Sequence, residues 1–287
     1  MLCPWSVPAP TLVLHWSDMH FLRTLVVAGA LTAAACAQTA QPPSTNQPQT
    51  APAATPEALT AKAAAGDANA AFALGAMYER GNGVTQNAAE AVKWYRKAAA
   101  EGHAAAQFNL ALILAKGRGV APDPAEAAKW YAKAAAQGDQ QAATNLGILY
   151  AQGKGVKQDM VQAARWFRQA AEAGNPMAEY NLGLLYSEKL YSEGKTEADD
   201  DRQAALWLGK AAEHGVVAAQ NNLGVLYAEG RGVEKDLVQA YKWFWLAAEA
   251  GDPDSAQSVE TLAAEMKPEA VTEAKRLARE WVSRHSQ

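Results

Sequence analysis

The sequence predicts an all-α fold: a right-handed α/α solenoid (superhelix) of five helix-pair repeats, with capping helices at both ends. Three observations carry the prediction. A pattern recurs about every 36 residues. Helix-start and helix-stop residues recur in phase with it. The alternation of β-branched residues that marks strands is absent. The pattern is most visible in a loop with two glycines, "GNGVTQNAAEAVKWYRKAAAEG" from Gly81, which returns from Gly117, Gly153 and Gly230 and, in divergent form, from Gly194. Successive first glycines are 36, 36, 41 and 36 residues apart. A phosphate loop opens directly into a helix and carries Lys-Ser or Lys-Thr. Here four more residues intervene and no such pair follows, so the loop is architectural.

The repeats run 67–102, 103–138, 139–174, 175–215 and 216–251. Each first helix carries a small residue (Ala70, Ala106, Ala142, Ala178, Ala219), a leucine four residues on (Leu74, Leu110, Leu146, Leu182, Leu223), and then an aromatic (Tyr78, Tyr150, Tyr186, Tyr227) or Leu114. That spacing puts all three on one helix face. Gly75, Gly147, Gly183 and Gly224 follow the leucine. A mid-helix glycine costs about 1 kcal/mol against alanine, so its recurrence predicts a close crossing of the two helices. Gly81, Gly117, Gly153, Gly194 and Gly230 fall where a first helix should end in a left-handed residue. Gly83, Gly119, Gly155 and Gly232 complete the turn.

The second helix starts with an N-cap, predicted at Asn87, Asp123, Asp159, Asp200 and Asp236. Glu or Gln stands three residues later, the spacing of a capping box. These acidic residues recur because helices need starts, which argues against reading them as catalytic carboxylates. Trp94, Trp130, Trp166, Trp207 and Trp243, each with alanine four residues on, read as core rather than as a sugar platform.

The ends differ in composition. "MHFLRTLVVAGALTAAACAQ", from Met19, has a charged start, an apolar core and a small-residue end, the layout of a secretory signal peptide. Residues 1–37 are read as that signal, with Met19 the better start. Cleavage after the small-x-small run Ala35-Cys36-Ala37 leaves Gln38 first. In the alternative, Cys36 carries a lipid and anchors a lipoprotein. Residues 38–56 are a Pro/Gln/Ala-rich linker too polar to bury a core. Residues 57–66 read as an N-terminal capping helix and 252–287 as C-terminal capping helices and tail.

Charge and chemistry narrow the function. The formal net charge is −4 with no basic stripe, which argues against nucleic acid. No apolar run within the repeats is long enough to span a bilayer. His103, His214 and His285 have no cysteine or paired histidine at metal spacing, so no cofactor, no metal and no catalytic residue is assigned. Third, seventh and tenth positions of each repeat, on its first helix, are expected to line a concave face. The seventh gives Asn109, Asn145, Asn181 and Asn222; the tenth gives Leu112, Ile148, Leu184 and Val225. An amide ladder beside an aliphatic ladder suits an extended peptide, unless the asparagines only tie neighbouring helices together.

The run small-x3-Leu-Gly-x2-Tyr, Gly-x-Gly-Val, acidic-x2-acidic/Gln-Ala and Trp-aromatic resembles the Sel-1-like repeat over 67–251. These repeats are helix-pair solenoids related to tetratricopeptide repeats. The resemblance implies a monomeric, non-enzymatic scaffold for a protein or peptide partner, here in the periplasm of a Gram-negative bacterium. Periplasmic members that restrain a sensor kinase supply one alternative. A β-lactam or cell-wall-fragment binding protein or hydrolase supplies another, weakened because the cysteine pair per repeat of those relatives is missing. Repeat 4 departs from the pattern: "LYSE" occurs twice (185–188 and 190–193), Thr196 replaces the second glycine, and "EADDD" (197–201) makes the loop acidic.

Overall fold

The computed structural model describes residues 55–192 and 196–285. The predicted signal, its cleavage site, Cys36 and most of the linker lie outside them. Thirteen helices and no strand occur among the described residues. The entry helix is α1 (Pro56–Ala64). Five pairs follow: α2 (Ala68–Arg80) with α3 (Ala88–Ala100), α4 (Ala104–Lys116) with α5 (Pro124–Ala136), and α6 (Gln140–Gln152) with α7 (Met160–Glu172). Then come α8 (Pro176–Ser187) with α9 (Glu197–Glu213) and α10 (Val217–Glu229) with α11 (Leu237–Glu249). The C-terminal helices are α12 (Pro253–Glu265) and α13 (Pro268–His285). Each first helix packs on its own second helix, and each second helix packs on the next repeat's first, the order of an α-solenoid.

The mid-helix glycines make the predicted close crossing. A methyl on Gly75 would stand 2.5 Å from the Tyr95 ring, and one on Gly147 would stand 2.6 Å from the Phe167 ring. Gly183 meets Leu208 and Gly224 meets Phe244 in the same way. The most deeply buried large residue of a second helix is therefore the one after the tryptophan: Tyr95, Tyr131, Phe167, Leu208 and Phe244 are all essentially inaccessible. The tryptophans sit further out than expected. Trp94, Trp130 and Trp166 are half-buried, and only Trp207 and Trp243 are buried. Lysines one turn on lie over them, Lys133 at 4.2 Å from the Trp130 ring and Lys210 at 4.2 Å from Trp207. Such a tryptophan buries its body and offers one face to a cation.

Gly81, Gly117, Gly153 and Gly230 end their helices in the left-handed region, and Gly83, Gly119, Gly155 and Gly232 follow in the same region. At Gly119, Gly155 and Gly232 the second glycine also seats the loop on the repeat before it. A methyl on Gly155 would stand 2.5 Å from the Pro124 carbonyl oxygen, and one on Gly232 would overlap the Asp201 carbonyl. Only a bare backbone fits.

Four predicted N-caps occupy that position. The carboxylates of Asp123 and Asp159 accept from the Glu126 and Gln162 amides, at 2.8 and 2.9 Å. Asn87 and Asp236 each accept from two amides. The reciprocal half of the capping box is recorded only at Thr196–Asp199 among the described residues. Elsewhere the third residue is engaged otherwise, as where Glu126 takes Arg96 and the Trp130 indole.

Repeat 4 corrects two expectations. Asp200 is not a cap: α9 starts early, Thr196 caps it, and Asp200 lies buried in its first turn. Nor does Gly194 end the first helix. α8 stops at Ser187, and Lys189 supplies the left-handed residue, with the Leu190 amide donating to the Leu185 carbonyl at 3.0 Å. Gly194 lies outside the described residues. The first helix is thus not lengthened. The inserted length goes into the exit and, above all, into the early start of α9, 17 residues long against 13 in α11. Tyr191 folds back onto Tyr186, with ring centroids 5.5 Å apart.

At the far end α13 closes the stack through Trp281. It meets Trp243 edge-on at 6.2 Å, and its indole N–H donates to Glu213 at 2.8 Å.

Candidate partner-binding surface

The structure divides the eight predicted groove residues. Asn109, Asn145, Asn222, Leu112 and Ile148 are half-buried. Asn181, Leu184 and Val225 are buried, at 1, 5 and 6% exposure. The expected ladder is therefore not continuous, and these three residues belong to the packing of repeats 4 and 5. The partly open aliphatic and amide positions concentrate in repeats 2 and 3.

The asparagines also have internal work. Asn109 sits beside the Tyr95 hydroxyl, and Asn145 beside that of Tyr131, each facing back to the preceding repeat's second helix and favouring the ionised phenol. The Tyr95 hydroxyl donates to Glu79 Oε2 at 2.6 Å. Burial, aided by that carboxylate, pushes the Tyr95 phenol well above its ordinary range; burial does the same to Tyr131. In repeat 3 the tyrosine becomes Phe167. The matching Asn181 has a buried Oδ1 with no hydrogen-bond partner.

A second site went unread in the sequence. The fifth residue of each repeat's first helix segment, counting from the cap, is Ala71, Gln107, Ala143, Glu179 or Gln220. Gln107 donates to the Ala99 carbonyl at 3.1 Å and accepts from Gln137 at 2.8 Å. Gln220 donates to the Ala212 carbonyl. Glu179, 2% exposed, takes the same place in repeat 4, with its Oε2 2.8 Å from His214 Nδ1. It borders an open recess of about 520 Å³ lined by Ala171, Glu172, Gly174, Gly209, Lys210, Glu213 and His214. Alternation of alanine with polar residues gives no periodic signal, which is why the position escaped notice.

Among the described residues no group of three His, Cys, Asp or Glu could hold a metal ion, and no helix is long and apolar enough to cross a membrane.

Comparison with known proteins agrees on the architecture. The Sel1 repeat model matches residues 68–103, 104–139, 140–175, 176–216 and 217–252. The crystal structure of c5321, a protective antigen present in uropathogenic Escherichia coli strains and displaying an SLR fold, is similar with a TM-score of 0.68 and 34% identity. That match covers 79% of this chain and 48% of the antigen, so the chain spans about half the antigen's length. A Sel1 repeat protein from Oxalobacter formigenes is similar with a TM-score of 0.58 and 34% identity, covering 78% of this chain and 93% of that one. A search of curated proteins finds no match. Five matched repeats, the glycine-locked helix pairs and the seated loops together make this chain a member of the Sel1 repeat family.

Proposed function

We propose that this protein is an exported, non-enzymatic scaffold that binds an envelope protein through the first-helix face of repeats 2 and 3. Sel1-repeat solenoids generally mediate protein–protein interaction, and a stacked-repeat surface is an extended one. The observation that carries the reading is the pair Leu112 and Ile148. They are aliphatic residues at equivalent positions of adjacent repeats, left half-exposed beside Asn109 and Asn145. A peptide laid across them would bury apolar side chains there. Export rests on the signal-like segment from Met19.

The test is crosslinking and pull-down of the exported form against a Leu112→Glu, Ile148→Glu variant. Circular dichroism first checks that both fold. One envelope protein captured by wild type and lost by the variant supports the reading. Equal capture by both moves the site elsewhere. The intact mass of the exported form decides between a start at Gln38 and a lipidated Cys36.

A further inference from the structure

Repeat 4 breaks its own pattern at two positions that meet in one place. Glu179 stands where repeats 2 and 5 use glutamine. There, Gln107 and Gln220 each donate to a carbonyl near the end of the preceding second helix. A carboxylate cannot donate that bond. The corresponding carbonyl belongs to Ala171, which lines the same recess. His214 holds Glu179 Oε2, and no protein group donates to the other oxygen among the described residues. The second departure is Gly209, inside α9. The other repeats hold Arg96, Ala132, Arg168 and Trp245 at this position. Gly75, Gly147, Gly183 and Gly224 are explained by side chains crowding them, whereas a methyl on Gly209 would meet nothing within 4 Å. Glu179 gives up the amide donor and Gly209 answers no crowding neighbour, and together they leave an open recess with a buried carboxylate at its wall.

The surroundings favour positive charge. α7 ends at Glu172 and α9 at Glu213, so the negative ends of two helices border the recess. Glu172 and Glu213 add carboxylates, although Glu213 also accepts from Trp281. The one lysine, Lys210, lies over the Trp207 ring. The Ala171 carbonyl accepts from the Gly174 amide at 2.9 Å, as Ala99 does from Gly102, but it lacks the side-chain donor that Gln107 adds at Ala99. The site is short of that donor and of one for the second Glu179 oxygen.

We propose that this recess takes the guanidinium of an arginine side chain presented by a partner protein. A planar fork of N–H groups suits a carboxylate oxygen and a nearby carbonyl together. The site shares no residue with the Leu112–Ile148 surface, so either can fail alone.

The test is an NMR titration of the full chain with N-acetyl-arginine-amide, with the lysine and uncharged citrulline analogues as comparators. The arginine probe is expected to shift the Gly174, Glu179 and Gly209 amides and to bind at least about tenfold tighter than citrulline. Glu179→Gln installs the residue used by repeats 2 and 5. It should lose that binding tenfold or more while melting no lower than wild type. Gly209→Arg installs the arginine of repeats 1 and 3 and should block the probe from within. Equal binding of arginine and citrulline overturns the proposal, as does unchanged binding in either variant. A Glu179→Gln protein that melts lower shows a structural glutamate instead. Equal binding of lysine overturns the choice of guanidinium.

Discussion

The Asn145 side chain sits beside the Tyr131 hydroxyl across the joint between repeats 2 and 3, near enough to favour the ionised phenol against its burial. The same register puts Asn181 opposite Phe167, where the hydroxyl is missing and the amide oxygen is buried without a partner. Restoring the hydroxyl should therefore stabilise the chain. Phe167→Tyr is expected to add about 1 kcal/mol and raise the melting temperature by about 2–4 °C. A lower melting temperature would mean that the joint has no room for the added oxygen.

Two helical glycines should respond in opposite directions to the same change. Gly147→Ala places a methyl against the Phe167 ring. Its overpacking cost of about 1–3 kcal/mol should outweigh the helix-propensity gain of about 1 kcal/mol. Gly209→Ala meets open space and should keep that gain. Urea unfolding of the two variants is expected to move the midpoint down for the first and up for the second.

The corrected cap makes a direct comparison. Thr196→Ala removes the hydroxyl that accepts from the Asp199 amide, and Asp159→Ala removes the carboxylate that accepts from the Gln162 amide. Each should cost about 1 kcal/mol in equilibrium unfolding. A neutral Thr196→Ala would show that α9 does not depend on this start.

The buried phenols set an alkaline limit. Tyr95, Tyr131 and Tyr227 are all raised from an ordinary value of 10.0, chiefly by burial. The native state holds those protons more tightly than the unfolded chain does. Their contribution is complete below pH 10 and is lost as pH rises above it. Melting temperature should fall between about pH 10 and 12. The fall should be shallower in Tyr131→Phe, measured by circular dichroism at constant ionic strength.

The closing helix hangs on one residue. Trp281, 9% exposed, packs on Trp243 and bonds Glu213. Trp281→Ala should cost about 3–5 kcal/mol and make α13 the first site of limited proteolysis. Intact α13 under conditions that cleave other exposed segments would show that its remaining contacts suffice.

Much of this architecture could be read from the sequence because it is periodic. Leu74 and its counterparts, the turn glycines and the caps of repeats 1, 2, 3 and 5 recur in phase, and each has a local physical cause. Repeat 4 was misread at Asp200 because Thr196 and Asp199 offered a second, complete capping box four residues earlier. The groove was over-drawn because half-exposed Asn145 and buried Asn181 are the same residue type at the same position. The difference between them lies in neighbouring repeats, not in their own helix. Glu179 was missed for the reverse reason: only the glutamine bonds of Gln107 and Gln220 reveal that a glutamate there is out of place.

The loop seats have one more consequence. Gly155 and Gly232 rest on backbone atoms of the preceding repeat, not on its side chains. At these two joints the stacking interval is thus held by atoms that every residue type shares. Surface positions can be exchanged one repeat at a time without altering the spacing of the rest. A single module can then be rewritten, as the departures of repeat 4 at Glu179 and Gly209 from its neighbours illustrate, with the frame unchanged.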